Sequence, residues 1–92
     1  MMTSDVSNVE AKHRFELQEE GGTAFVTYLL EGDTITFTHT IVPEEMEGRG
    51  VGSKLVRGAL DEARERGLKV VPNCSFVRHF IESHEDYQGL LA

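Results

Sequence analysis

Apolar and polar positions alternate through the first half of this chain, and the apolar spacing changes to three and four in the second. Phe15 and Leu17 alternate with polar neighbours over residues 12–18, which predicts a strand. A turn at Glu19-Glu20-Gly21-Gly22 leads into a second strand over residues 23–30. Gly32-Asp33 then closes a hairpin into a third, over residues 34–42. In that segment Ile35, Phe37, His39 and Ile41 fall on one face, and four threonines add β-branched residues suited to a pleated surface. Pro43 ends the strand, and Glu44-Glu45-Met46-Glu47 forms an acidic connector.

From about Gly50 to Arg66 the period becomes helical. Val51, Leu55, Ala59 and Ala63 recur every four residues, and Val56 and Leu60 widen the stripe. Gly67 is the C-cap candidate. Leu68-Lys69-Val70-Val71 predicts a short strand stopped by Pro72, and residues 76–83 a short helix with Phe76, Val77, Phe80 and Ile81 on its apolar side. Residues 1–10 are polar and expected to fray, leaving 11–92 as one domain. The fold expected is α/β: a mixed sheet of three antiparallel strands followed by a βαβ unit, with a short helix at the C-terminus.

Ninety-two residues suffice for a single modest core. A net charge of -7 argues against a nucleic-acid binder, which usually presents a basic face, and leaves room for a cationic small substrate. The N-terminus has neither a basic start nor an apolar run, and the longest apolar stretch, residues 24–30, is far too short to span a bilayer. With Cys74 as the only cysteine, no disulfide forms within the chain, and a cytoplasmic setting is the simplest expectation. His79 and His84 are five apart, a spacing that does not put both imidazoles on one helix face, so no metal site is expected.

The candidate chemistry centres on Glu47-Gly48-Arg49-Gly50-Val51-Gly52-Ser53-Lys54, a glycine-rich turn that runs straight into a helix. Such a junction aims unpaired backbone N–H groups and the positive end of a helix dipole at one spot, which suits a phosphate or pyrophosphate. Two named phosphate motifs fail. A Walker A loop requires glycine immediately before the lysine, where Ser53 stands; the dinucleotide pattern requires a third glycine at position 53 or 55.

The turn instead resembles motif A of the GNAT acetyltransferase superfamily: Gln or Arg, two residues, Gly, one residue, then Gly or Ala. Gly50 and Gly52 match, while Glu47 stands at the first position. The likeness extends over His39-Thr40-Ile41-Val42-Pro43-Glu44, Gly67-Leu68-Lys69-Val70-Val71-Pro72-Asn73-Cys74 and the ending His84-Glu85-Asp86-Tyr87, which together resemble the short single-domain GNAT-like proteins. This resemblance implies acetyl-coenzyme A as acyl donor and an amine as acceptor. Gly50 and Gly52 would admit the pyrophosphate, and the N–H groups of Arg49, Gly50, Val51, Gly52 and Ser53 would donate to it. Lys54, with Arg49 and Arg57, would supply positive charge. The pantetheine arm would lie where the third and fourth strands splay, against the backbone of Ile41 and Val42.

Direct attack of an amine on a thioester needs a route for the amine proton and a proton for the departing thiolate. Cys74, just after the fourth strand, is a candidate for protonating that thiolate or for accepting the acetyl group itself, although cysteine is also a common core residue. His39 is a candidate base or orienting group, or else a core-facing histidine. Tyr87 is a candidate general acid by the same resemblance.

Typical GNAT domains are longer and carry two further helices that wall the acceptor site, for which this chain has no room. Three readings follow: a small N-acetyltransferase with an open acceptor site, monomeric or homodimeric; a non-catalytic acyl-coenzyme A-binding module; and a structural or partner-binding α/β domain. Glu44 and Glu45 beside the turn favour a cationic acceptor in the first.

Overall fold

The computed structural model describes residues 5–92. Five strands form one sheet in the sequential order β1-β2-β3-β4-β5. They are β1 (Val6–Val9), β2 (Arg14–Glu19), β3 (Gly22–Glu31), β4 (Thr34–Ile41) and β5 (Lys69–Pro72). Neighbours from β1 to β4 are antiparallel, as short turns allow, and β4–β5 is parallel. The parallel pair is joined by helix α1 (Val51–Glu65), so the predicted βαβ unit is present; helix α2 (Ser75–Glu82) and a 3-10 turn over Glu85–Leu90 follow.

One core lies between the sheet and the helices. Phe15 and Leu17 of β2, Ala24, Val26 and Tyr28 of β3, Ile35 and Phe37 of β4 and Val70 of β5 meet Leu55, Val56, Ala59, Leu60 and Ala63 of α1. Val77, Phe80 and Ile81 of α2 and Tyr87 complete it. The opposite sheet face has no helix over it; Leu29, His39 and Ile41 stand exposed there. Among the described residues no helix is long and apolar enough to cross a membrane.

Two expectations are corrected. Residues 6–9, read as frayed, form the edge strand β1, with Val6 paired to Leu17 and Val9 to Arg14. Asn8 holds it in place: its Oδ1 accepts from the Tyr28 hydroxyl at 2.7 Å, and its Nδ2 donates to Glu62 on α1 at 2.9 Å. Val6 packs against the core, and the Asn8 bonds add order that no hydrophobic period records. Residues 1–4, also expected to fray, lie outside the described residues.

The second correction concerns β4. Tyr28 pairs with Phe37, yet Thr27 pairs with His39, so Thr38 is an extra residue in β4. Such a bulge reverses which residue numbers face which side. His39 and Ile41, in phase with Phe37 by simple alternation, point to the uncovered face, and Thr40 takes the helix-side position opposite buried Val26.

Candidate active site

Ladder pairing between β4 and β5 ends at Phe37–Pro72, while β4 runs on to Ile41. Beyond that point the strands part, and a cavity of about 600 Å³ opens between the end of β4 and the start of α1. Its lining includes Thr40, Val42, Met46, Gly50, Ser53 and Phe76.

The helix end that faces this cavity is uncapped. The first α1 hydrogen bond runs from Lys54 N–H to Gly50 O at 3.0 Å, which leaves the N–H groups of Val51, Gly52 and Ser53 without a helical acceptor. Gly50 at the N-cap has no side chain to satisfy them. Its φ of 73° is left-handed, a conformation costly for other residues, and no atom lies within 4 Å of where its Cβ would stand. Orphan donors, helix dipole and open space therefore coincide, as a phosphate group requires.

Gly52 has a different reason to be glycine. It is helical and buried, and a Cβ there would meet the ring of Phe76 at the start of α2. Its missing side chain makes room for that ring, which forms one wall of the cavity.

The cations expected at the turn are engaged elsewhere. Arg49 donates from Nη2 to the carbonyl of Glu20 in the β2–β3 turn. Lys54 bonds Glu19 at 2.9 Å and Asp5 at 3.3 Å, and these partners hold it above the ordinary lysine pKa. Arg57 donates to the Tyr87 hydroxyl at 3.3 Å and lies over the Phe80 ring. The lining instead combines the glycines, apolar residues, Thr40, Ser53 and the exposed Glu47.

Of the three candidate reacting groups, none lines the cavity; Cys74 touches its wall through Thr40. It lies at the junction of β5 and α2, 7% exposed, with Sγ 3.1 Å from the Thr40 hydroxyl. Burial pushes the thiol pKa up; the Thr40 hydrogen bond and the amides of Val77, Phe76 and Thr40 outweigh it, so the group titrates below the usual cysteine range. Sγ makes no cap bond of ordinary geometry to α2, and the Val77 and Phe76 amides favour negative charge there by their dipoles. His39 stands on the uncovered face. Tyr87 is 2% exposed and donates to Asp61 at 2.7 Å, in a seam among α1, α2 and the C-terminal turn; it does not line the cavity.

The family model of the GCN5-related N-acetyl-transferases matches residues 14–90. The chain belongs to the GCN5-related N-acetyltransferase family. A solved structure agrees: the solution NMR structure of a GCN5-like protein from Staphylococcus aureus, described as a candidate N-acetyltransferase, is 30% identical. The match covers 100% of this chain and 91% of that one, with a TM-score of 0.72. The short GNAT-like fold expected from the glycine turn and its flanks is therefore the fold observed.

Sequence reasoning missed Thr40, Met46 and Phe76 in the cavity wall. Met46 left a signal: it is the lone apolar residue in the acidic connector, and it is fully buried. Phe76 left less, because it reads as part of the α2 apolar side yet is 40% exposed at the cavity edge. Thr40 left none, since the bulge that turns it inward has no pattern of its own.

Proposed function

We propose that this GNAT-family protein transfers an acetyl group from acetyl-coenzyme A to an amine. The observation that carries the reading is the uncapped α1 N-terminus opening onto a cavity that runs to the end of β4 and to Phe76. The N–H groups of Val51, Gly52 and Ser53 would hold the pyrophosphate of the donor, with Gly50 leaving the approach clear. The backbone of Ile41 and Val42 would line the path of the pantetheine arm. Arg49 and Lys54 neighbour the lining residues in sequence, and to meet a phosphate they would exchange their present carbonyl and carboxylate partners.

An acceptor amine attacks the thioester carbonyl carbon, the C–S bond breaks, and the departing thiolate takes a proton. We assign this step to Cys74, whose sulfur lies 3.1 Å from the hydroxyl of Thr40 in the cavity wall. As a thiol it gives that proton and recovers one from the protonated nitrogen of the attacking amine, which is left as the amide. As a thiolate it attacks the carbonyl first and expels the coenzyme A thiolate, which takes a proton; the amine then attacks the acetyl-cysteine, loses its proton and releases the Cys74 thiolate. Its lowered pKa suits either role. The acidic Glu44, Glu45 and Glu47 beside the cavity favour a cationic acceptor, such as a lysine side chain or a polyamine.

Calorimetric titration with acetyl-coenzyme A, repeated on Gly50→Val, tests the reading. Binding in the wild type, weakened at least about tenfold in the variant, supports the turn as the donor cradle. No binding by the wild type would sink it. Intact mass after incubation with acetyl-coenzyme A alone separates the routes: an added acetyl on Cys74 means the covalent one, and unmodified protein that still acetylates an amine means direct attack. Binding without transfer to any of a broad amine panel would leave a non-catalytic acyl-coenzyme A-binding module. His39 and Tyr87 favour that alternative by standing away from the cavity.

A further inference from the structure

Thr40 owes its place to the irregularity in β4. The extra residue Thr38 is tied to β3: its hydroxyl lies 2.6 Å from that of Thr27 and donates to the Thr27 carbonyl at 3.2 Å. Past this bulge Thr40 faces the helices, and because pairing with β5 has stopped at Phe37–Pro72, no strand closes over it. Its side chain therefore opens onto the cavity and also reaches the sulfur of Cys74 at 3.1 Å.

The main chain of Cys74 is fixed independently. Its N–H donates to Phe37 O at 3.1 Å, and its carbonyl accepts from Arg78 N–H at 3.0 Å as α2 begins. What the backbone does not fix is the single rotor that aims the thiol. Among the described residues, Thr40 is the one side chain hydrogen-bonded to Sγ.

We propose that Thr40 is a positioning residue for Cys74: its Oγ1–H donates to the sulfur, holds it against the cavity wall that Thr40 lines and favours the thiolate, and the Thr38 bulge delivers that hydroxyl. The proposal rests on the reading of Cys74 as the reacting group. A hydroxyl donor gains strength when its acceptor becomes anionic, so it acts on the charged form more than on the neutral one. Burial, the largest influence on the sulfur, disfavours its charge; beside the Thr40 hydroxyl, the leading opposing influences are the amides of Val77, Phe76 and Thr40 itself. Removing the hydroxyl therefore takes away the side-chain part of that opposition.

The test is the pH dependence of Cys74 alkylation by iodoacetamide, followed by intact mass. Thr40→Val keeps the β-branched shape and loses the donor; Thr40→Ser keeps the donor and loses the methyl group. The midpoint is expected to rise by about one pH unit in Thr40→Val and to stay near the wild-type value in Thr40→Ser. A wild-type midpoint in Thr40→Val overturns the proposal, and so does an equal rise in both variants. Thr40→Ala supplies the same comparison should the valine variant lose its melting transition. Alkylation needs neither acetyl-coenzyme A nor an amine, so its failure is distinct from that of the parent reading, which full turnover by Cys74→Ala would sink.

Discussion

Cζ of Phe76 lies 2.6 Å from the position that a side chain on Gly52 would occupy. The two residues belong to different helices, α1 and α2, so one glycine sets how closely an aromatic wall approaches the start of α1. A glycine in a phosphate turn is ordinarily explained by the ligand; here a neighbouring ring explains it first.

Gly52→Ala should accordingly separate stability from binding. Alanine gains about 0.5–1 kcal/mol of helix propensity over glycine, while the partly exposed ring can swing aside at a comparable cost. The melting temperature should move by only a few degrees. Acetyl-coenzyme A affinity should fall about tenfold, because the displaced ring narrows the cavity, and calorimetry reads that change. A large loss of stability would show that the ring is held rigidly.

Asn8 makes two of the side-chain hydrogen bonds that hold the edge strand. Asn8→Ala removes both the acceptor for the Tyr28 hydroxyl and the donor to Glu62. The expected cost is about 1–2 kcal/mol, a drop of roughly 4–16 °C for a domain of this size, measured by thermal unfolding. Amide exchange should accelerate in β1 before the rest of the sheet.

Tyr87→Phe should behave as a structural variant. Its hydroxyl donates to Asp61 and accepts from Arg57, so its loss should cost about 1–2 kcal/mol in chemical denaturation. Acetyl-coenzyme A affinity should stay at the wild-type value, because the residue does not line the cavity. A loss of affinity with unchanged stability would contradict the placement.

Alkaline pH should destabilise the fold through two tyrosines. Burial raises the pKa of Tyr28, and burial followed by the Asp61 hydrogen bond raises that of Tyr87, both from 10.0. A raised folded-state pKa means that the native protein keeps the proton longer than the unfolded chain. The resulting stability is full below pH 10.0 and is lost as pH rises through the folded values. Urea unfolding between about pH 9 and 11 should show the decline, flattened in the Tyr28→Phe/Tyr87→Phe double variant. Cys74 acts in the opposite sense, so the comparison between variants, rather than the total slope, isolates the tyrosines.

Local periodicity by itself determined most of this architecture. The four-residue stripe of Val51, Leu55, Ala59 and Ala63 is fully buried on α1, and the glycine turn before it does form an uncapped helix start facing a cavity. Phe15, Leu17 and Ile35 lie on the core face that their alternation predicts, because burial of one sheet face imposes a period of two. What those patterns do not encode is a partner distant in sequence. Asn8 orders β1 through Tyr28 and Glu62, and Arg49, Lys54 and Arg57 turn from the cavity toward Glu20, Glu19 and Tyr87. The bulge at Thr38 is the sharpest case. Phe37, His39 and Ile41 alternate without a flaw in the sequence, and only pairing with β3 inserts the extra residue that sends His39 outward and Thr40 inward to Cys74. Register is a property of two strands together, so tertiary structure alone decided which side chain meets the thiol.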